Sequence, residues 1–123
     1  MPIADVLAAV LPVQVEDDGA VTVRHDGTVA SLRTLEVAEG LEMISLTQVL
    51  AWDLPCTDEL RSRVADQACR TMLGTVTMAE QSGGNADVML RYNFPAGGLD
   101  EGALQTLVLM VLAAGAQVRR NLT

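Results

Sequence analysis

The chain has 123 residues, half of them apolar, with sixteen acidic and eight basic residues and a formal net charge of −8. A domain of this length buries an adequate core without disulfides or metal ions. Every basic residue is arginine. Nucleic acids and anionic membranes are bound by clustered basic residues, so this charge argues against both as partners. It favours a basic protein partner, unless it serves only to keep an apolar chain soluble.

The chain contains one Phe, one Trp and one Tyr but six Met. The core is therefore predicted to be aliphatic, built from Leu, Val, Ala and Met. Methionine is flexible and polarizable, so it either fills gaps in a core or forms a surface that adapts to varied partners. Both roles stay open for Met43, Met72, Met78, Met89 and Met110.

The first half of the chain predicts a short helix followed by three strands. Residues 3–11 have apolar side chains at helical spacing and precede a proline that ends the helix. Alternating apolar residues then predict a strand around Val21 and Val23, a second over residues 29–37 and a third over residues 41–51. In the third strand, one side of the sheet is predicted to carry Ile44, Leu46, Leu50 and Trp52.

The second half predicts a helix, two strands and a last helix. Thr57 is a suitable N-cap for an amphipathic helix that extends to Leu73 and is stopped by Gly74. Two further strands are predicted, the second over residues 88–94. Asp100 then caps a helix over residues 101–120.

The predicted order of elements across residues 1–123 is therefore α-β-β-β-α-β-β-α. No internal repeat and no linker of disordered composition interrupts it. This order indicates a single α+β domain with a mainly antiparallel sheet packed against helices.

The last helix is apolar on almost every side. Its stretch without a polar side chain, residues 107–116, is about half the length that spanning a bilayer takes, so no membrane span is predicted. A helix that is apolar all round must instead be buried, either in a core or against another subunit. This pattern favours a protein that binds polypeptide surfaces.

The sequence offers little catalytic chemistry. His25 is predicted in an exposed hairpin turn, and the acidic run at residues 16–18 lacks the spacing of a calcium loop. The glycine pairs lack the Lys and Ser or Thr of a phosphate-binding loop. We therefore predict neither an enzyme nor a metal or other cofactor. An enzyme would require convergent polar groups around His25 or Cys56.

The two cysteines are too far apart for a redox or zinc motif. Cys69 is predicted on the apolar face of the central helix, whereas Cys56 precedes that helix and is the more exposed of the two. The N-terminus has no basic segment of the signal-peptide type, so we predict a cytoplasmic protein with reduced thiols.

The order of elements, the acidity and several local features resemble the bacterial type III secretion chaperone fold and its YbjN-like relatives. The local features are Leu54-Pro55 before the central helix, the strand at residues 88–95, Leu99-Asp100 at the start of the last helix, and Ala114 and Arg119 near its end. The chain is shorter than the secretion chaperones, which makes the YbjN-like side of the group the better match.

This resemblance implies a cytoplasmic, non-catalytic homodimer that holds an extended segment of a client protein without a cofactor. The implied dimer element is the central helix, with Leu60, Arg61, Val64, Ala68 and Met72. The implied client surface comprises Ile3, Val6, Leu7, Val21, Val23 and Leu32. The alternative for each of these residues is an ordinary place in the core.

A second hypothesis is a regulatory or scaffold dimer of the roadblock type, which holds a GTPase or signalling partner. That fold places two strands before its central helix and three after it. Three strands are predicted before the central helix of this chain, which argues against the roadblock arrangement.

Overall fold

Three helices and six strands make up the computed structural model, which describes residues 2–122. The helices are α1 (Ile3–Ala8), α2 (Asp58–Arg70) and α3 (Glu101–Asn121). The strands are β1 (Gln14–Val15), β2 (Val21–His25), β3 (Thr28–Ala38), β4 (Leu41–Pro55), β5 (Thr75–Glu80) and β6 (Asn85–Pro95). They form one antiparallel sheet in the order β1-β2-β3-β4-β6-β5. The predicted α+β class is confirmed, and only the two-residue β1 was not predicted.

The three helices all lie on one face of the sheet. Side chains on that face of β4 are buried, whereas the alternate positions, such as Ser45 and Thr47, are only half-buried. The carbonyl of Leu112 in α3 accepts a hydrogen bond from β4, and Asn121 of α3 donates one to Gln67 of α2. Gln105 of α3 bonds the backbone of α1. One face of the antiparallel sheet therefore remains uncovered by helices.

The core lies between α3 and the central strands. As predicted, it is largely aliphatic, and its largest fully buried side chains include Leu7, Leu32, Ile44, Leu46, Leu50, Leu90, Leu104 and Leu112. The predicted contribution of Met is wrong, because no methionine of the described residues is fully buried. Such side chains each contribute about 1.5–3 kcal/mol when they leave water. Burying this face is what holds the helices on the sheet.

The polar side chain of Gln48 is fully buried at the centre of this core. Its amide nitrogen donates to the Thr28 hydroxyl at 2.9 Å and to the Leu112 carbonyl at 3.1 Å. Its Oε1 has no hydrogen-bond partner in the described chain. Gly115 of α3 faces this amide so closely that an added Cβ would overlap it. The missing side chain at Gly115 is thus what lets α3 approach β4.

Trp52 is not buried with Leu50, as its predicted place on the same side of β4 implied. The β4–β6 pairing shifts register between Val49 and Ala51 and again between Ala51 and Leu54. Such bulges re-aim side chains. Trp52 is consequently 46% exposed, whereas Leu50 is buried. β4 also continues to Pro55, beyond the predicted end of the strand.

The central helix is shorter than predicted. The Thr57 cap is confirmed, because its side chain accepts a hydrogen bond from the Leu60 N–H at 3.0 Å. α2 nevertheless ends at Arg70, since Thr71 is extended, and the turn with positive φ at Gly74 comes later. Met72 is therefore outside the helix. Cys69, predicted on the apolar face, is exposed.

α3 is not buried all round. It is long and apolar enough to cross a membrane by length and composition alone, a criterion that core helices also meet. Only 39% of its most apolar stretch is buried, and Met110 is 54% exposed. One side of α3 packs on the sheet and the other side presents apolar atoms outward.

Four strands precede α2 and two follow it. The roadblock arrangement of two strands before the central helix and three after it does not match this order.

The Gln48–Gly115 contact predicts opposite effects for two Gly→Ala substitutions in α3. Gly115→Ala should lower the free energy of unfolding by about 1–3 kcal/mol, because the new methyl group overpacks the core. Gly102→Ala, whose Cβ meets nothing closer than 3.6 Å, should raise it by up to about 1 kcal/mol through helix propensity. Urea unfolding measures both, and equal effects at the two positions would contradict the proposed contact.

Candidate protein-binding surface

The structure places the five predicted dimer residues in different environments. Leu60 and Val64 are buried in the chain's own core, and Ala68 is half-buried. Arg61 is exposed but forms ion pairs with two carboxylates. Met72 is 91% exposed. The end of α2 thus offers Met72 as its large apolar contact.

The six residues predicted to contact a client are all buried, with exposed fractions between 0 and 7%. They are Ile3, Val6 and Leu7 of α1, Val21 and Val23 of β2, and Leu32 of β3. In this conformation their side chains pack inside the core, so a partner on the surface meets other residues.

A groove of about 410 Å³ runs between the end of α2 and the outer side of α3. We refer to it as the α2–α3 groove. Its apolar lining consists of Met72 and Leu73 from the connection after α2, and Met110, Ala114 and Val118 from α3. Met72 stands almost fully in solvent beside it. The outer side of α3 therefore has an apolar surface without an internal partner.

No carboxylate lines the α2–α3 groove. Its polar lining is Thr71, three side-chain amides and Arg70, which pairs with Asp66 at 3.4 Å. In a chain with a net charge of −8, this is a region that another acidic surface can approach with little repulsion.

A second exposed surface is the β3–β4 arm, which we define as residues 33–42. All ten residues are exposed, and they form the end of β3, the turn at Gly40 and the start of β4. Three of them are large and apolar: Leu35, Val37 and Leu41 have exposed fractions of 43–59%. The arm extends beyond the part of the sheet that the helices cover.

One edge of the arm is unpaired within the described residues. β2 pairs with β3 only as far as Leu32, which lies opposite Val21. β3 then continues to Ala38, paired with β4 alone. The backbone N–H and C=O groups along the outer edge of residues 33–38 can therefore accept a further strand.

The arm is acidic. Glu36, Glu39 and Glu42 are exposed, and the charge of Arg33 is paired with Asp18 at 2.6 Å. The hydrogen bond from Arg33 lowers the pKa of the Asp18 carboxyl below its usual range. The remaining unpaired charge on the arm is negative and suits a basic partner segment.

His25 and Cys56 are the groups considered for catalysis. His25 lies at the β2–β3 hairpin, with its Nε2 3.9 Å from Asp26 Oδ2. No group of three or more His, Cys, Asp or Glu residues that could hold a metal ion occurs within residues 2–122.

Cys56 belongs to a small polar cluster that joins α2 to β5. Its thiol donates to Glu80 Oε1 at 3.3 Å, and Arg61 donates to both Glu80, at 3.1 Å, and the Cys56 sulfur, at 3.3 Å. Burial, followed by the Glu80 hydrogen bond, raises the pKa of the Cys56 thiol. The hydrogen bond from Arg61 lowers the pKa of Glu80. The cluster therefore disfavours the thiolate form of Cys56.

Comparison of the fold places the chain beside the type III secretion chaperone fold. YbjN from E. coli, described as a candidate transcription regulator, superposes with a TM-score of 0.67, covering 95% of this chain and 85% of YbjN at 7% identity. The Yersinia pestis type III secretion chaperone SycH, in complex with a stable fragment of YscM2, gives 0.54, covering 95% of this chain and 96% of SycH at 9% identity. The predicted resemblance is confirmed as a resemblance of fold.

No protein-family model and no curated protein matches the sequence.

Sequence analysis did not identify the arm or Met110 as surface features. The arm alternates well enough to be predicted as strand, but strand periodicity does not show where the neighbouring strand ends. For Met110, the sequence of α3 is apolar on almost every side, so it does not show which side faces the sheet.

The two cysteines should react at different rates. The exposed Cys69 should be alkylated by iodoacetamide faster than Cys56 at pH 7, because the pKa of Cys56 is raised. Glu80→Gln should speed alkylation of Cys56 and move its pH profile downward, since the carboxylate that stabilises the thiol is removed. Mass spectrometry of peptides containing each cysteine measures both rates. A Cys56 rate that does not change in Glu80→Gln would contradict the role of the cluster.

Proposed function

We propose that this protein is a non-catalytic, homodimeric protein-binding module that holds an extended segment of a client in the manner of a chaperone. The observation that carries the proposal is the β3–β4 arm, with its exposed apolar residues and unpaired edge. The fold similarity to SycH, a chaperone in complex with a protein fragment, supports it. No cofactor is required for such binding.

The α2–α3 groove is the proposed dimer interface, with a second copy of the chain as its occupant. A two-fold interface needs a surface that is complementary to itself. The groove supplies a protruding apolar side chain, Met72, directly beside a cavity that accommodates a methionine. Met72 of each copy can thus enter the groove of the other and contact Met110. The absence of carboxylates in the lining lets two acidic chains approach.

The arm is the proposed client site, and its occupant is an extended segment with alternating apolar and basic residues. Strand addition to the outer edge of residues 33–38 supplies backbone hydrogen bonds. Leu35 and Val37 supply apolar contacts, while Glu36 and Glu39 attract basic side chains. Backbone bonds do not depend on side-chain identity, so this mode suits a client recognised by pattern.

Met72→Glu should convert the dimer to a monomer. Each interface buries two copies of Met72, so the substitution should weaken association about 100-fold, roughly 3 kcal/mol. Light scattering coupled to size exclusion should give twice 13.0 kDa for the wild type and 13.0 kDa for the variant over the same concentrations. Unfolding of the monomer should change by less than about 0.5 kcal/mol, because Met72 is 91% exposed.

Val37→Glu is the matched control for this experiment, since it makes the same kind of change at an exposed residue of the arm. It should leave the mass unchanged. A wild-type monomer at every concentration, or a Met72→Glu variant that remains a dimer, would overturn the proposed interface.

Client binding is tested with a synthetic seven-residue peptide of alternating Val and Lys. Hydrogen exchange of the backbone amides in residues 33–38 should slow on its addition, because a new strand pairs with that edge. A peptide of alternating Val and Glu should have little effect, since the arm is acidic.

Leu35→Lys should abolish this protection, because lysine removes an apolar contact and repels the basic peptide. Val15→Lys makes a similar change on the edge strand β1 and should retain the protection. Two results would contradict strand addition at the arm. One is hydrogen exchange in residues 33–38 that does not slow when the Val-Lys peptide is added. The other is a loss of protection in Val15→Lys as large as that in Leu35→Lys.

A further inference from the structure

A cavity of about 540 Å³ lies at the end of β4 opposite the arm. Its apolar lining comes from Ala51, Trp52 and Leu54 of β4 and from Leu122 after α3. Arg119 and Arg120 of α3 complete it. The volume is in the range of small-ligand pockets. The only Trp of the chain and two of its eight arginines therefore meet in one place.

The position of Trp52 depends on an irregular backbone. The second register shift of β4, between Ala51 and Leu54, spans it, and Asp53 has a φ of +54°, in the left-handed region that non-glycine residues rarely occupy. The Asp53 N–H donates to Asp87 Oδ1 at 3.0 Å, which holds the bulge to β6. Bulges of this kind re-aim side chains, and here Trp52 is 46% exposed and lines the cavity.

Arg119 is held in place from two sides. Its Nη1 donates to the Leu50 carbonyl at 2.7 Å. Its Nε also lies close to Gly27, where an added Cβ would come within 2.8 Å and would push the guanidinium aside. Since one hydrogen bond uses one of five donors, Arg119 keeps donors for a ligand in the cavity.

Arg120 adds a second positive charge that is more exposed. Its Nη2 donates to Gln117 Oε1 at 2.9 Å, and its Nη1 is 3.8 Å from Asp26 Oδ2, too far for a hydrogen bond. The carbonyl groups at the C-terminal end of α3 repel an anion. Binding of an anion in the cavity therefore depends on the two guanidinium groups together.

We propose that this cavity binds a carboxylate carried on an aromatic body. The guanidinium groups of Arg119 and Arg120 bind the carboxylate, because arginine pairs with that group in a charge-assisted geometry. The indole of Trp52 and the side chains of Leu54 and Leu122 contact the aromatic ring. The same chemistry is presented by a free aromatic acid and by the last residue of a polypeptide that ends in Phe. The site shares no residue with the arm or the α2–α3 groove.

Trp52 is the only Trp, so its fluorescence reports directly on the cavity. Titration of the full chain with N-acetylphenylalanine should give a saturable change in Trp52 emission, with a dissociation constant on the order of 1 mM, as expected for a ligand of this size. N-acetylphenylalanine amide, which lacks the charge, should bind about 10-fold or more weakly. The absence of a saturable change, or equal binding of acid and amide, would overturn the proposal.

Arg120→Gln should weaken binding of the acid about 3- to 10-fold while leaving the fold intact, because the side chain is largely exposed. Arg91→Gln removes the same charge from an exposed position on β6 and is the matched control. Loss of affinity in Arg91→Gln as large as in Arg120→Gln would show a general charge effect and contradict the site.

A five-residue peptide that ends in Phe distinguishes the two sources of the carboxylate. Binding at least as tight as that of N-acetylphenylalanine identifies the C-terminus of a polypeptide. Binding of N-acetylphenylalanine without binding of the peptide identifies a free aromatic acid. Failure of both acids to bind refutes the carboxylate site.

Discussion

The close approach of α3 to β4 at Gln48 and Gly115 is the constraint on which the other features depend. A buried amide that donates to both Thr28 and the Leu112 carbonyl fixes α3 in position along the strand and in rotation about its own axis. That rotation buries one side of α3 and leaves Met110 outward. It also brings the arginines at the end of α3 against the β4 bulge. The groove and the cavity are thus both consequences of one helix docking.

The other proposed binding surface, the β3–β4 arm, is determined by the arrangement of the sheet. All three helices cover one face, and β2 pairs with β3 only as far as Leu32, so the outer edge of the arm has no strand beside it among the described residues. An exposed edge with apolar residues is a liability for a free chain, because it invites association with other edges. The glutamates of the arm reduce that hazard by repelling other acidic chains. The same charges leave the edge available to a basic segment. One charge pattern thus both limits pairing between copies of the arm and favours the proposed basic client.

Much of this fold could be predicted from the sequence because its local signals are strong. The caps at Thr57 and Asp100 and the alternating strands agree with the structure. The errors arise where tertiary contacts override local pattern. The bulges in β4 turn Trp52 outward, and α2 stops before Met72 although the apolar spacing continues. Gln48 alternates with its neighbours in the same way as Leu46 and Leu50 and is buried like them. Because glutamine is polar, the sequence did not predict this burial.

The candidate sites were harder to predict, for a physical reason. Periodicity shows which residues share a face, but not whether that face meets the chain's own core or a partner. Ile3, Leu7 and Leu32 satisfy the pattern of a client surface and the pattern of a core equally well, and in the folded chain they pack inside. A binding surface can be identified only once the structure shows which apolar residues remain outside the core. Most of the large apolar residues left exposed in the described chain are at the arm or the α2–α3 groove. The association that we propose with other polypeptides therefore depends on where the chain's own packing ends.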